Sequence, residues 1–533
     1  MSDSSSSLSD QTPDPETPYD EPQVQNENGK EEDVKTDEKM TDQKEDNEKP
    51  EKNKLLTQIK GVLTIDFAQP DPAYLELWGS PRQFTEEKFA NHFVVKRKWV
   101  QVVYQVIFWI NVILTVVLFA FTDPAATKKD FEYDGKTIPR SSLHYISLYS
   151  VGCSLCIVLF FILLLFIWPG IFIWFTFFFC FATWAVVLGL MISIKSIASI
   201  VVFTLLVLFF PLTFTFKICG KIRFSICVLK SAVLVARKYP STYIFTFLMV
   251  LLQTGLNYLF NYGVTAAFYH DISPWVYIYV IFSYFFITAT IRNFSYSVVA
   301  GVASCWYFLN GSPHMPPAPI IVAIRHMLGP TFGPVCLGGL LQSLCDTVNE
   351  LNDTSARNPF LCIVKCMCLC VSCIVKIIMS IINRYALIYC AMFGVDTTNA
   401  VRRWYQQKAR RMVNQCILQT VLQTTFDTDA WIASSFCGAV ASYFAAKRFG
   451  KGTSEFNFAT VAGTFFGKQA IELLAAPIIT MSDALFVGFG EAPQRLDSGA
   501  SEIMDLFDDE NKKLFREEIN EEFSDQKGGC CGC

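Results

Sequence analysis

A long apolar run with one charged side chain constrains this chain more than any other feature. Residues 275–309 contain no Asp, Glu or Lys, and Arg292 is the only formal charge among them. About 20 apolar residues suffice to cross a bilayer, so this run predicts a helix that is long, strongly tilted or broken. A charge inside such a helix costs roughly 3 kcal/mol on insertion scales, so it usually faces a partner or a wet cavity. The run is therefore the first place to look for a functional site.

Further apolar runs predict a polytopic membrane protein. Charged residues make up 17% of the 533 residues, whereas soluble proteins carry about 25%. In lipid every backbone polar group needs an internal partner, and these runs are too long for barrel strands. We therefore expect an all-α integral membrane protein, a bundle of about ten transmembrane helices. The runs lie at residues 102–121, 143–167, 171–194, 197–216, 243–260, 275–309, 327–344, 361–393, 431–446 and 456–489.

Polar segments flank the apolar runs and divide the chain into regions. The N-terminal segment is charged and nearly free of aromatic residues. Such a segment buries too little apolar surface to offset its ordering entropy, which predicts disorder. The predicted regions are a disordered cytosolic tail at 1–70, a juxtamembrane segment at 71–101, a transmembrane transporter domain at 102–490 and an acidic cytosolic tail at 491–533.

Basic clusters between the runs predict the orientation in the membrane. They lie at residues 96–98, 217–238 and 402–411, and they fall on one side if the runs alternate. The positive-inside rule makes that side cytoplasmic, together with both termini.

The cysteine usage predicts neither a disulfide framework nor a metal site. Many of the 19 Cys lie inside apolar runs, where a small thiol packs well. The cysteine-rich stretch 365–376 lacks a CxxC pair with a matching His, so zinc is not expected. Lipidation is the hypothesis for three cysteines near the end of the sequence, Cys530, Cys531 and Cys533.

The sequence lacks the motifs of the common enzyme classes. It contains no P-loop, no HExxH and no GxSxG, and only five His. A basic stripe interleaved with aromatic residues, as nucleic-acid binding requires, is also missing. We therefore predict no enzyme activity, no cofactor and no nucleic-acid partner.

Polar side chains inside the apolar runs are the candidates for function. Lys468 and Glu472 are four residues apart on one helix face, so they either neutralise each other or belong to a proton or cation path. Arg292 is either braced by a structural partner or contacts substrate. Other candidates are Asn293, Gln253, Asn257, Asn383, Arg384 and Asp483.

Aromatic residues near the long run are suited to a quaternary ammonium. Such a cation has no N–H to donate, so ring faces recognise it. Trp306 and Tyr307 end the run, and Tyr258 lies on the preceding one. The alternative is that these rings belong to the interfacial aromatic belts.

Four stretches resemble the choline transporter-like family, and most closely its fungal and protist branch. They are TIRNFSYSVVAGVASCWYFL, MPPAPIIVAIRHMLGPTFGPVCLGGLLQSL, INRYALIYCAMFGVDTTNAVRRW and GKQAIELL…DALFVGFGEAP. The resemblance implies a ten-span protein with cytosolic ends in a plasma or organelle membrane, and we expect the plasma membrane. It further implies ATP-independent movement of choline or similar organic cations, facilitated or proton-coupled.

From these observations we expect a substrate cavity along the fifth and sixth runs. Two other functions stay open, namely a non-transporting membrane scaffold or signalling protein and a lipid-handling protein. The oligomeric state is not predicted. The expected substrate-binding residues are Trp306, Tyr307, Tyr258, Asn257, Arg292 and Asn293.

Overall fold

The computed structural model describes residues within the compact unit Lys60–Cys533. The described residues are 89–90, 93, 99–121, 131–133, 136–138, 140–169, 171, 174, 178, 219–268, 274–354, 384–411, 413–492 and 495. The predicted tail at 1–70, the cysteines at 530–533, most of the run at 171–194 and the run at 197–216 therefore lie outside them.

The described part of the chain is helical, apart from one short hairpin. The helices are α1 (Val102–Phe121), α2 (Arg140–Ile167), α3 (Cys219–Lys238), α4 (Ser241–Phe268), α5 (Pro274–Leu309), α6 (Pro319–Leu328), α7 (Phe332–Thr354), α8 (Arg384–Phe393), α9 (Thr397–Arg411), α10 (Val413–Phe449) and α11 (Ser454–Glu491). Between α1 and α2, strands β1 (Phe131–Tyr133) and β2 (Lys136–Ile138) pair antiparallel, with Glu132 opposite Thr137. The hairpin lies between the first two predicted apolar runs.

Five described helices are long and apolar enough to cross a membrane, which confirms a polytopic helical membrane protein. The spans are Val102–Ala120, Leu148–Leu165, Ser241–Phe260, Ile278–Leu309 and Glu455–Glu491. They coincide with predicted runs. The predicted run at 431–446 lies within α10, which is not among these five spans. The total of about ten spans stays a prediction, because the runs at 171–194, 197–216 and 361–393 fall largely outside the described residues.

The predicted run at 327–344 is part of a broken helix pair. Helices α6 and α7 meet at a bend of 66° and make a sixth span only if they are counted together. The bend follows from Gly329 and Pro330, which lie between the two helices. Proline cannot donate the next helical hydrogen bond, and its ring clashes with the preceding turn.

Helix α11 lies at the centre of the bundle. It packs against α10, α2, α5, α4 and α3, and 89% of its span is buried, whereas 17% of the span in α1 is buried. Small residues allow its close approach to α10, as is common between membrane helices. A Cβ added to Gly467 would lie 2.7 Å from the Cβ of Cys437. Helix α11 therefore contacts several neighbouring helices along its length.

Candidate functional site

Three carboxylates on α11 are each paired with a cationic side chain. Glu472 lies near the middle of the helix, Asp483 lies further along it, and Glu491 is its last residue. Each meets an arginine from a different helix. Charged groups within a membrane bundle are costly unless they are paired or hydrated, so these three places are the candidates for a site.

The pair at Asp483 is short and buried. Arg384 on α8 places its Nε 2.7 Å from Asp483 Oδ2, and the hydroxyl of Tyr296 on α5 donates to the same oxygen at 2.7 Å. Asp483 is fully buried. A carboxylate so enclosed leaves no room for a ligand, so this cluster acts as a connection between α5, α8 and α11.

The pair at Glu491 is equally tight. Arg403 on α9 donates from Nε to Oε1 at 3.0 Å and from Nη2 to Oε2 at 2.8 Å. The hydroxyl of Tyr389 on α8 donates to Oε1 at 3.1 Å. A two-pronged arginine contact is the strongest geometry for such a pair. Residue 491 therefore belongs to the last described helix, one residue beyond the predicted boundary of the membrane domain.

The pair at Glu472 is longer and open. Arg292 Nη1 lies 3.7 Å from Oε2, and Lys468 Nζ lies 3.6 Å from Oε1. Lys468 Nζ also lies 4.6 Å from the ring centroid of Trp431 on α10. Asp427, exposed on α10, is within electrostatic range of Glu472, Lys468 and Arg292. We call these five residues the mid-helix charge cluster.

This cluster answers two questions that the sequence left open. Lys468 and Glu472 do pair along one helix face, and Arg292 has an acidic partner on another helix. Neither contact excludes a role in a transport path, because the side chains of Lys468 and Glu472 keep 37% and 30% of their surface exposed. Charges that stay exposed beside the middle of a long membrane helix remain accessible to a ligand.

A second polar group near the cluster consists of uncharged side chains. Asn257 on α4 donates to Gln469 Oε1 at 2.7 Å, and Gln253 donates to Asn257 Oδ1 at 3.0 Å. The hydroxyl of Tyr284 donates to Asn257 Oδ1 at 3.1 Å and accepts from Gln469 at 2.8 Å. This amide network connects α4, α5 and α11. Asn257 is one of the expected binding residues, and both its amide nitrogen and its amide oxygen already form hydrogen bonds within this network.

Trp306 and Tyr307 lie far from the mid-helix charge cluster. They follow Arg292 by about four turns, or roughly 21 Å along α5. Both are fully buried. Tyr307 donates to the carbonyl of Ala492 at 3.1 Å, and Lys238 Nζ lies 5.9 Å from the Trp306 ring centroid. Here the two rings are part of the packed core at the end of α5.

The expected binding residues thus occupy several places. Arg292 belongs to the mid-helix charge cluster and Asn257 to the amide network, while Trp306 and Tyr307 lie at the end of α5. Asn293 is buried, and its Nδ2 meets no hydrogen-bond acceptor among the described residues. Tyr258 is exposed on α4.

Sequence reasoning missed several members of these clusters. Asp427 and Trp431 are four residues apart, so they share a helix face, and this spacing was a usable signal. Gln469 stands next to Lys468 inside an apolar run and was detectable as a polar residue there. The pairing of Arg403 with Glu491 had no local signal, because the two lie on different helices.

The described residues include no group of three His, Cys, Asp or Glu side chains that could hold a metal ion.

The fold and the clusters define a multi-pass helical membrane protein with paired charges inside its bundle. Comparison with known proteins identifies the family within this class. The model of the plasma-membrane choline transporter family matches residues 200–494, more than half of the chain. The chain belongs to this family, which supports a membrane transporter role.

Individual relatives agree with this assignment. A CTL-like protein of Dictyostelium discoideum is 28% identical over 300 residues, covering 52% of this chain and 56% of the relative. A second from the same organism is 24% identical over 245 residues, covering 44% of each chain. Protein PNS1 of Eremothecium gossypii is 23% identical over 221 residues, covering 36% of this chain and 40% of the relative. The chain thus spans about half the length of the curated relatives it matches.

Proposed function

We propose that this protein moves choline or a similar organic cation across a membrane without ATP, by facilitated or proton-coupled transport. The observation that carries the proposal is the mid-helix charge cluster. It offers two carboxylates and an exposed tryptophan ring near the middle of α10 and α11, and these groups attract an ammonium ion. Family membership supports the same class of function.

We take the membrane topology of the transporter from the sequence. We propose about ten spans, a plasma-membrane location and cytoplasmic termini. The basic clusters that predict the orientation include the segment 402–411, which supplies Arg403 at the end of α11. Fusing a reporter to each terminus and testing its accessibility in intact and permeabilised cells would check the orientation.

The expected binding residues have different proposed roles. The side chain of Arg292 is 33% exposed, so it can meet a substrate in this conformation. Asn293 and Asn257 are buried beside the polar middle of the bundle, so we propose that they contact substrate only after a local rearrangement. Trp306 and Tyr307 are fully buried, so contact with substrate requires a conformation in which the end of α5 separates from α11. Tyr258 is exposed on α4, and we propose that it contacts substrate where the substrate path opens to the surface of the bundle.

Uptake into vesicles tests the transport proposal. The purified protein is reconstituted into proteoliposomes, and uptake of radiolabelled choline is measured with pH gradients of both signs and with none. We expect uptake above that of empty vesicles, and stimulation by one gradient would show proton coupling. No uptake under any of these conditions overturns the proposal.

A lipid-handling function is the second candidate, and one observation favours it. An apolar cleft of about 380 Å³ opens between α2 and α10, with Gly152 and Phe436 in its lining. Arg448, at the end of α10, lies over the ring of Tyr145 on α2. Labelled phospholipid in the same vesicles tests this function. Movement of lipid without movement of choline would favour it, and movement of neither would favour a scaffold.

A further inference from the structure

We propose that Lys468 occupies the binding place of the transported cation in this structure, and that an organic ammonium ion displaces it. The binding place, which we call the ammonium seat, consists of the ring face of Trp431 and the carboxylates of Glu472 and Asp427. The inference rests on the proposed function and names the contacts of its substrate.

The contacts of Lys468 are those that recognise an ammonium ion. Its Nζ lies 4.6 Å from the ring centroid of Trp431 and 3.6 Å from Glu472 Oε1. A cation within about 6 Å of a tryptophan ring is attracted by the ring quadrupole, and a quaternary ammonium uses the same attraction. The carboxylate adds the opposite charge. A free organic cation therefore needs no further group to bind in the same place.

The ammonium seat is open to exchange, unlike the other ion pairs on α11. Trp431 is 58% exposed and the side chain of Lys468 is 37% exposed. The lysine also has a flexible four-carbon stem that can carry its charge out of the seat. By contrast, Asp483 is fully buried and its arginine partner lies at 2.7 Å. Exchange of a cation is thus expected at Glu472.

Charge balance favours the lysine at this position. Arg292 and Lys468 oppose Glu472 and Asp427, and Arg384, whose charge also acts on Asp427, is itself paired with Asp483, so the charges balance when no substrate is bound. Uncompensated charge inside a membrane bundle is costly. A monovalent cation that replaces the lysine at the seat keeps two positive charges opposite two negative ones. An empty carrier with Lys468 in the seat therefore needs no inorganic cation there.

Binding of radiolabelled choline to purified full-length protein tests the exchange. Lys468→Met keeps the length of the side chain and removes the competing charge. If the lysine holds the seat about nine-tenths of the time, its removal lowers the Kd about tenfold. Trp431→Leu removes the ring face and should raise the Kd about tenfold, with Trp431→Phe in between. Lys451→Met and Trp109→Leu change exposed side chains elsewhere and should leave the Kd unchanged.

A measurement on the wild-type protein tests the displacement of Lys468 without depending on the folding of any variant. Amine acetylation is quantified by mass spectrometry with and without saturating choline. Displacement from the seat should increase acetylation of Lys468 and leave that of Lys451 unchanged. Unchanged or reduced acetylation of Lys468, weaker choline binding by folded Lys468→Met, or no binding by either protein would each overturn the inference.

Failure of the exchange and failure of transport give different results. If vesicles take up choline while the Lys468 and Trp431 variants behave as their controls do, transport stands and the ammonium seat is refuted. If choline binds with the expected pattern of variants but is not taken up, the seat stands and transport is refuted.

Discussion

The buried pair of Arg384 and Asp483 allows a quantitative test of what holds the bundle together. Asp483→Asn keeps the volume of the side chain but removes the charge that faces Arg384 at 2.7 Å. It also weakens the hydrogen bond from Tyr296, which now donates to a carboxylate at 2.7 Å. Three helices meet at this residue, so the change should lower the stability of the whole bundle.

The expected loss in the free energy of unfolding follows from two estimates. Unit charges this close attract by about 6 kcal/mol at an effective dielectric constant of 20, before the cost of removing both from water. Experiments that remove one partner of a buried pair give a net loss of about 3–5 kcal/mol, and we expect this for Asp483→Asn. Tyr296→Phe removes only a hydrogen bond to a charged group and should cost about 1.5–3 kcal/mol.

Thermal unfolding of detergent-purified protein, followed by size-exclusion chromatography, measures these losses. The double variant with Arg384→Gln and Asp483→Asn removes both charges, so it should be clearly more stable than the sum of the single losses implies. Glu455→Gln, in the first turn of α11, is the matched control and should lower the stability by less than about 1 kcal/mol. Strictly additive single losses, or an Asp483→Asn protein as stable as the wild type, would refute the reasoning.

Three further substitutions have defined outcomes in the same unfolding assay. Glu491→Gln breaks the two-pronged contact with Arg403 and should cost about 3 kcal/mol; equal stability would show that the pair contributes nothing. Gly488→Ala adds a Cβ that would lie 2.7 Å from Tyr307 Cδ1. The overpacking should cost about 1–3 kcal/mol, and a second change of Tyr307→Leu should recover part of it. Gln469→Leu leaves buried amide groups without their partners and should cost about 1–3 kcal/mol, with choline uptake measured alongside.

The helices themselves were largely predictable from the sequence. The run at 102–121 has the same bounds as α1, because polar residues flank an unbroken apolar segment. The run at 275–309 forms one continuous helix, since no proline or glycine pair interrupts its interior. The contact between Lys468 and Glu472 was also predictable, because residues four apart share a helix face.

Contacts between helices were not predictable in the same way. Arg384 and Asp483 were both recognised as polar residues within apolar runs, but nothing local indicated that they pair. The burial of Trp306 and Tyr307 in the core was also not predictable from the sequence. Half of the span in α5 is buried, and the apolar pattern of this helix does not reveal which of its residues line a cavity and which lie in the core. Only the packing of α11 against α5 decides this.

The three arginine-paired carboxylates of α11 distinguish the fixed part of the bundle from the part that can exchange ligands. Asp483 and Glu491 are held at 2.7–3.1 Å by arginine and tyrosine side chains from α5, α8 and α9. Opening either pair would leave a buried charge uncompensated, which costs several kcal/mol. Glu472 has longer contacts and exposed partners, so a ligand can replace one of them at a smaller cost. Ligand exchange is therefore expected at the middle of α11, and the end of this helix serves as its anchor.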